Sequence, residues 1–278
     1  MSIFQHYQSR YDEAQEESFS IQEFLSICQK DKLAYATASE RLLLAIGDPE
    51  MIDTSAEPTL SRIFSNRVIA RYPAFKDFYG MEEAVEQIVA YLKHASQGLE
   101  EQKQILYLLG PVGGGKSSLA EKLKALMQQE PIYVLSANGE RSPVNDHPFC
   151  LFDANEDGKI LKKEYKIPER YLNTIMSPWV AKRLHEFKGD IAKFEVVKLY
   201  PSILDQIAIA KTEPGDDNNQ DISALVGKVD IRQLEHFSQN DPDAYSYSGA
   251  LCRANQGMME FVEMFKAPIK VLHPLLTA

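Results

Sequence analysis

The sequence is poor in cysteine and has no long apolar run. Three cysteines occur in 278 residues, at positions 28, 150 and 252, with no CxxC pair. This pattern favours a reducing compartment over a secreted fold held by disulfides. No stretch of about 18 apolar residues is present, and the first residues lack a basic segment followed by an apolar one. We therefore expect a cytoplasmic protein that does not bind a membrane.

The chain also lacks an excess of positive charge. The 30 lysines and arginines are outnumbered by 40 aspartates and glutamates, which gives a formal net charge of −10. Nucleic-acid binding depends on a positive field that attracts phosphates, so this balance argues against a general nucleic-acid binder. The sequence has no HExxH and no GxSxG motif, and His147 and Cys150 alone would not complete a zinc site.

The length and the hydrophobic pattern predict the domain organisation. A chain of 278 residues corresponds to one large domain or to about two smaller ones. We predict an N-terminal helical region over residues 1–57 and a core over residues 58–278. The segment at about 138–256 is long for a single connection, so we predict that it contains a mainly helical insertion.

Periodicity also predicts individual elements. Two short apolar runs on either side of a helix indicate a βαβ unit, which belongs to a parallel sheet buried on both faces. We predict strands at 105–109, 131–135 and 257–265, and helices at 20–28, 32–46, about 116–129, 179–187 and 202–211.

A glycine-rich loop between the first predicted strand and the following helix carries the clearest chemistry. Residues 110–117 (GPVGGGKS) fit the pattern GxxxxGK[ST]. Glycines let consecutive backbone N–H groups turn toward a phosphate, and the start of the helix adds partial positive charge. In this pattern Lys116 contacts the β- and γ-phosphates, and the Ser117 hydroxyl ligates Mg²⁺. The predicted ligands are ATP and Mg²⁺, and the predicted binding residues are Gly110, Gly113, Gly114, Gly115, Lys116, Ser117 and Ser118.

Two further segments resemble parts of AAA+ ATPases. Residues 78–81 (FYGM) open an amphipathic helix upstream of the loop and resemble the box whose backbone surrounds the adenine, which assigns Tyr79 and Gly80 to that role. Residues 257–263 (GMMEFVE) resemble a Walker B strand, with Val262 in place of the usual Asp and Glu263 in place of the catalytic Glu. On a strand, Glu260 and Glu263 would point to opposite faces. We therefore predict Glu263, together with Lys116, as catalytic.

Residues 153–164 (DANEDGKILKKE) fit the EF-hand calcium loop D-x-[DN]-x-[DN]-G-x5-E. An EF-hand needs a helix on each side, but Pro148 precedes the loop and Pro168 follows it closely. We predict an acidic surface turn that leads into a short helix, with Ca²⁺ binding as the alternative.

Four longer segments carry a more specific resemblance: 67–75 (RVIARYPAF), 107–118 (YLLGPVGGGKSS), 136–149 (SANGERSPVNDHPF) and 260–268 (EFVEMFKAP). Over essentially its whole length the chain resembles the bacterial PrkA-type serine protein kinase family. In that family an N-terminal AAA+ module precedes a C-terminal region to which kinase activity is assigned. The family is linked to stress and starvation responses.

The resemblance implies an α/β P-loop NTPase fold of the AAA+ type with a central parallel sheet. It implies a core that is incomplete at the C-terminus, since an AAA+ core continues well beyond the position of Glu263. The implied function is that of the ATP- and Mg²⁺-binding module of a serine protein kinase, whose protein substrates the sequence does not identify. The resemblance is also compatible with a homo-oligomer. In such an assembly Arg141 or Arg253 is a candidate for the trans-acting arginine that one subunit contributes to the nucleotide of another.

Two alternatives stay open. One is direct phosphoryl transfer from the loop to a serine of a partner or of the chain itself. The other is a non-catalytic, nucleotide-gated protein-interaction module, which Val262 at the Walker B position favours.

Overall fold

The protein is described by a computed structural model that covers residues 3–5, 17–213, 222–267, 272, 273 and 275. The chain divides into two compact units that are interleaved in sequence. Unit 1 consists of Met1–Tyr35, Pro131–Pro201 and Gln206–Ala278, and unit 2 of Ala36–Glu130 and Ser202–Asp205. Residues 1, 2 and 6–16 of the predicted N-terminal region lie outside the described residues, and a boundary at residue 57 stays a prediction.

Short helices and strands alternate along the described chain. The α-helices are α1 (Ile21–Lys30), α2 (Ala38–Ile46), α3 (Pro58–Phe64), α4 (Glu82–Ser96), α5 (Lys116–Met127), α6 (Gly158–Tyr165), α7 (Pro178–Glu186), α8 (Ser223–Val226) and α9 (Ala250–Ala254). The strands are β1 (Glu17–Ser20), β2 (Glu50–Asp53), β3 (Val68–Arg71), β4 (Ile132–Ala137), β5 (Glu140–Arg141), β6 (Glu195–Leu199), β7 (Ile209–Thr212), β8 (Lys228–Val229), β9 (Tyr245–Ser246) and β10 (Met258–Phe261).

Unit 2 is a small helical layer with a pair of antiparallel strands, between which helix α3 lies in the sequence. Helix α2 packs against both α4 and α5, and α4 also contacts β3. Strand β2 pairs with β3 in antiparallel fashion, with Ile52 opposite Ile69. The helices meet through apolar residues at helical spacing, which removes those side chains from water and stabilises the packing. The buried residues of this layer include Leu42, Ile46, Val85, Ile88, Val89, Leu92, Leu119, Leu123 and Leu126.

Unit 1 is built on a four-stranded sheet with the order β1-β6-β4-β5, in which every pair is antiparallel. All six residues of β4 are buried. Helix α1 packs on the sheet through Phe24, whose ring lies 5.3 Å from that of Tyr133. A capping box fixes the start of α1, because Ser20 Oγ accepts from the Glu23 N–H while the Ser20 N–H donates to the Glu23 carboxylate.

A buried carboxylate ties two segments of unit 1 together. Asp146 is 3% exposed, and its Oδ2 accepts from the hydroxyls of Ser142 at 2.5 Å and Ser177 at 2.6 Å. Ser177 also accepts from the Val180 N–H and so caps α7. Burial raises the pKa of Asp146, and the two serine bonds oppose this shift. The network fixes α7 against the loop that follows β5.

Three free cysteines and the tryptophan all fall in unit 1. Cys28 and Cys150 are buried, Cys252 is partly buried, and burial raises the pKa of each thiol. Trp179 is 4% exposed and packs in the same apolar cluster as Cys28 and Cys150. None of the described helices is both long and apolar enough to cross a membrane.

Several predicted elements are confirmed. Helices α1, α5 and α7 match the predictions at 20–28, about 116–129 and 179–187, and strand β4 matches 131–135. The helix predicted at 32–46 is confirmed only in part: Lys32–Tyr35 is a separate 3-10 turn, and α2 begins after Thr37, which caps it in an extended conformation. Strand β10 lies within the predicted 257–265 but ends at Phe261.

The predicted central parallel sheet is wrong for the four-stranded sheet of unit 1. Both edges of β4 are already occupied: β6 pairs along one edge, and β5 with the following loop occupies the other. On that second edge, the Leu135 N–H donates to the Asp146 carbonyl and Tyr133 O accepts from Gln256. No free edge is left for a parallel partner. In the described residues, parallel pairing occurs between β7 and β10.

Two other predictions are also wrong. Residues 105–109 belong to no strand, and Ile105, Tyr107 and Leu109 are exposed, so the run is not buried on both faces. The segment 138–256 contains strands β5 to β9 as well as helices α6 to α9, and its assignment as a mainly helical insertion stays a prediction. Where a helix was predicted at 202–211, residues 202–207 form turns and β7 follows. In β7, pairing with β10 overrides local helix propensity.

Residue Gly257, just before β10, allows one of the closest backbone approaches in unit 1. A Cβ at this position would lie 1.8 Å from the carbonyl oxygen of Ala208, which also accepts from the Met258 N–H. We expect Gly257→Ala to lower the unfolding free energy by roughly 3 kcal/mol or more, because the backbone must move apart. Urea denaturation followed by circular dichroism measures this. Gly189→Ala is the control: that position has open space, and only its positive φ costs about 1–2 kcal/mol. Equal losses for both variants would contradict the close approach.

Candidate functional site

The glycine-rich loop enters α5 through two left-handed residues. Gly113 and Gly115 both have a φ of +78°, a conformation that favours glycine. The Gly114 N–H donates to the Pro111 carbonyl, and a Cβ at Gly114 would lie 3.1 Å from that same oxygen. Helix α5 begins at Lys116 with Gly115 as its N-cap. Helix α5 has 12 residues and no side-chain cap at its start, and the first N–H groups of a helix have no partner within the helix, which is what an anion site uses.

Lys116 lies over its own loop. Its Nζ donates to the carbonyl oxygens of Gly110 at 2.7 Å and Pro111 at 2.6 Å. Ser117 and Ser118 follow in the first turn of α5 and are exposed. The structure thus gathers the sequence-predicted residues of the loop around one helix terminus, with the cation and a hydroxyl side by side.

The predicted adenine segment contacts this loop within unit 2. Gly80 has a φ of +74°, and Met81 follows it as the N-cap of α4, with its carbonyl accepting from the Val85 N–H. The Met81 sulfur lies 2.9 Å from the position that a Cβ on Gly115 would take. Tyr79 is 84% exposed. The sequence did not predict the role of Met81, because a contact between residues so far apart in the chain depends on tertiary packing.

Glu263 lies in unit 1, whereas Lys116 lies in unit 2. It follows β10 and adopts a left-handed conformation, with φ at +50°. Its Oε2 lies 2.7 Å from Lys266 Nζ, and its side chain is 57% exposed. Because β10 ends at Phe261, the strand alternation expected for Glu260 and Glu263 does not extend to Glu263. The assignment of Glu263 as a catalytic base stays a prediction.

The EF-hand-like segment forms a turn that leads into α6, as predicted. The Asp153 carboxylate accepts from the Asn155 and Glu156 N–H groups, and the Asp157 carboxylate accepts from the Asp153 N–H. These bonds engage carboxylates that the calcium pattern assigns to a metal. Before the segment stands a short 3-10 turn, Pro148–Leu151, in the place of an entering helix. Across the described residues, no cluster of three histidine, cysteine or acidic side chains could hold a metal ion.

A glycine-rich loop that ends on a helix start, with a lysine and a serine as the first helical residues, defines the phosphate-binding element of P-loop NTPases. The model of the PrkA AAA domain matches residues 19–278. The chain belongs to this family, and the AAA domain implies a P-loop NTPase.

Curated relatives agree with this assignment. The chain is 78% identical over 278 residues to the protein named "Serine/threonine kinase YeaG" of Escherichia coli (strain K12), and the match covers 100% of the chain and 43% of that protein. It is 34% identical over 210 residues to "ATP-dependent protease PrkA" of Bacillus subtilis (strain 168), which covers 73% of the chain and 32% of that protein. The chain therefore spans less than half the length of these relatives. No solved structure matches it.

Proposed function

We propose that residues 110–117 bind the phosphates of ATP together with Mg²⁺, and that the chain is the nucleotide-binding AAA+ module of a longer PrkA-type protein. One observation carries this proposal: the loop presents left-handed Gly113 and Gly115, Lys116 and Ser117 at a single helix terminus. A phosphate needs converging N–H donors and a positive charge, and this terminus offers both.

The donor set also suits the metal. Mg²⁺ takes oxygen ligands and keeps several waters, so a serine hydroxyl next to nucleotide phosphates is an adequate protein contribution. Ser117 is exposed at the start of α5 and available for that role. Bound Mg²⁺ neutralises phosphate charge. Lys116 holds a second positive charge within reach of the loop carbonyls.

The adenine would bind beside Tyr79 and Gly80. These residues precede Met81, which contacts the loop at Gly115, so a nucleotide with its phosphates on the loop has its base near this segment. The exposed ring of Tyr79 offers an aromatic face for contact.

At the level of the whole protein, we propose protein phosphorylation in cytoplasmic stress or starvation signalling. One relative is named a serine/threonine kinase and another an ATP-dependent protease, and both names imply the use of ATP. The alternative is a nucleotide-gated protein-interaction module. It is favoured by Val262 in place of the metal-ordering Asp and by the pairing of Glu263 with Lys266.

Ligand-linked stability tests the binding proposal. ATP with Mg²⁺ at a hundredfold excess over its dissociation constant should stabilise unit 2 by about 2.7 kcal/mol, because it binds the folded state alone. Urea denaturation with and without nucleotide measures the shift, with Mg²⁺ alone as the control. An unchanged transition at millimolar ATP would overturn the proposal.

A further inference from the structure

A polar cavity lies within unit 1, and none of the residues that line it belongs to the glycine-rich loop. Its volume is about 310 Å³, which is at the lower end of the range of about 300–1,000 Å³ for ligand pockets. The cavity includes the end of β7, where β7 runs parallel to β10. Its polar lining consists of Lys211, Thr212, Ser223, Lys228, Ser248 and Arg253.

The lining of this cavity is positively charged, whereas the chain as a whole is acidic. Among the described residues, three cationic side chains and three hydroxyls line the cavity and no carboxylate does, although the chain as a whole has a formal net charge of −10. Lys211 forms an ion pair with Glu213 at 2.9 Å, outside the lining. Lys228 is exposed, and no ion pair to it occurs among the described residues. A cavity of this kind attracts anions.

Arg253 supplies the most specific observation. Its Nε is buried and has no hydrogen-bond partner within the part of the chain that the structure describes. A buried donor without a partner is destabilising, so such groups are uncommon unless a ligand or a water satisfies them. Arg253 also lines the cavity, so its guanidinium is a positively charged donor group for an oxyanion bound there.

The walls of the cavity are fixed by close backbone packing. A Cβ at Gly249 would lie 2.3 Å from the Leu225 carbonyl oxygen, so the loop before α9 and the end of α8 are in direct contact. The Tyr245 hydroxyl donates to the Val226 carbonyl at 3.0 Å. Arg253 is held as well, because its carbonyl accepts from the Asn145 side chain at 3.1 Å. A preformed site loses little free energy in ordering itself on binding.

We infer that this cavity binds a phosphate monoester group. A phosphate monoester carries about −1.5 to −2 charges at neutral pH and three acceptor oxygens, which matches several cations beside hydroxyl donors better than a single carboxylate would. The cavity contains none of the residues 110–117, and Arg253 is the one lining residue that was also a candidate for a trans-acting arginine at the nucleotide. The phosphate could belong to a phosphorylated serine of a protein or to a small phosphorylated metabolite.

The test uses the 278-residue chain carrying Lys116→Ala, which weakens the other phosphate site. Calorimetric titration with inorganic phosphate, with O-phosphoserine and with a phosphoserine peptide should show binding that weakens with salt. The same peptide without phosphate should not bind. A peptide that binds at least about tenfold tighter than O-phosphoserine indicates a protein source, and equal affinities indicate a small molecule.

Site variants decide whether the cavity is responsible. Arg253→Gln and Lys228→Gln should each weaken phosphate binding by about tenfold, the loss expected for one charge-assisted contact. Lys163→Gln, an exposed lysine of α6 in the same unit, should leave it unchanged. If Arg253→Gln does not fold, Lys228→Gln still tests the proposal, because it changes an exposed side chain. Absence of phosphate binding, or an equal loss in Lys163→Gln, overturns the proposal.

Discussion

Replacing Lys116 by alanine is expected to weaken ATP binding by at least about tenfold. The change removes a charge-assisted contact to the phosphates, which contributes about 1.5–3 kcal/mol. The lysine bonds only to carbonyl oxygens of its own loop among the contacts described above, so the variant should remain folded. Titration calorimetry of both proteins with ATP and Mg²⁺ measures the difference.

Lys122→Ala is the matched control for this result. Lys122 lies on the same helix, about 1.7 turns beyond Lys116, so the variant loses an equal charge away from the loop. Its affinity for ATP should stay within about twofold of the parent. Equal affinities for Lys116→Ala and the parent, with both folded, would refute the assignment of residues 110–117 to phosphate binding.

Replacing Glu263 by glutamine is expected to lower ATP turnover by about 10²–10⁴-fold in a protein extended through the family's C-terminal region, while affinity for ATP is retained. A general base contributes a factor of this size, and glutamine keeps the shape of the side chain without its charge. We expect the 278-residue chain itself to bind ATP but to hydrolyse it slowly. Val262 supplies no carboxylate to the metal, and Glu263 is engaged with Lys266.

Two neighbours separate a catalytic role from a structural one. Glu260→Gln alters a carboxylate inside β10 and should leave a larger share of turnover than Glu263→Gln. Lys266→Ala releases Glu263 and should not lower the rate. Turnover of several ATP per second by the 278-residue chain would contradict the slow-hydrolysis prediction. An unchanged rate in Glu263→Gln would show that another residue acts as the general base.

The sequence predicted those parts of the fold that depend on local pattern. Apolar spacing and capping residues are sufficient to predict α1 and α7. A continuous apolar run is sufficient to predict β4, which the structure buries completely. Strand pairing was not predictable in the same way, because the residue pattern of a buried strand such as β4 is the same whether its neighbour is parallel or antiparallel. Its edges are decided by β6, by β5 and by Gln256, which contacts Tyr133 from the far end of the chain.

The candidate site shows the same division. The glycine pattern predicted the turn into α5, because left-handed residues before a helix favour glycine, as Gly113 and Gly115 show; binding of a phosphate there stays a prediction. The contact between Met81 and Gly115 had no sequence signal. Glu263 was placed on a strand by alternation, yet the chain turns there, since a left-handed residue cannot continue the pleat.

Cysteine and tryptophan, which can serve as natural probes of conformation, are confined to one of the two units. All three thiols and the indole of Trp179 belong to unit 1, whereas unit 2, which holds residues 110–117, contains neither residue type. Thiol labelling rates and tryptophan fluorescence, excited where tyrosine does not absorb, therefore monitor the opening of unit 1 alone. A change in either signal on addition of ATP would report an effect of the nucleotide on the conformation of unit 1, rather than occupancy of the loop in unit 2.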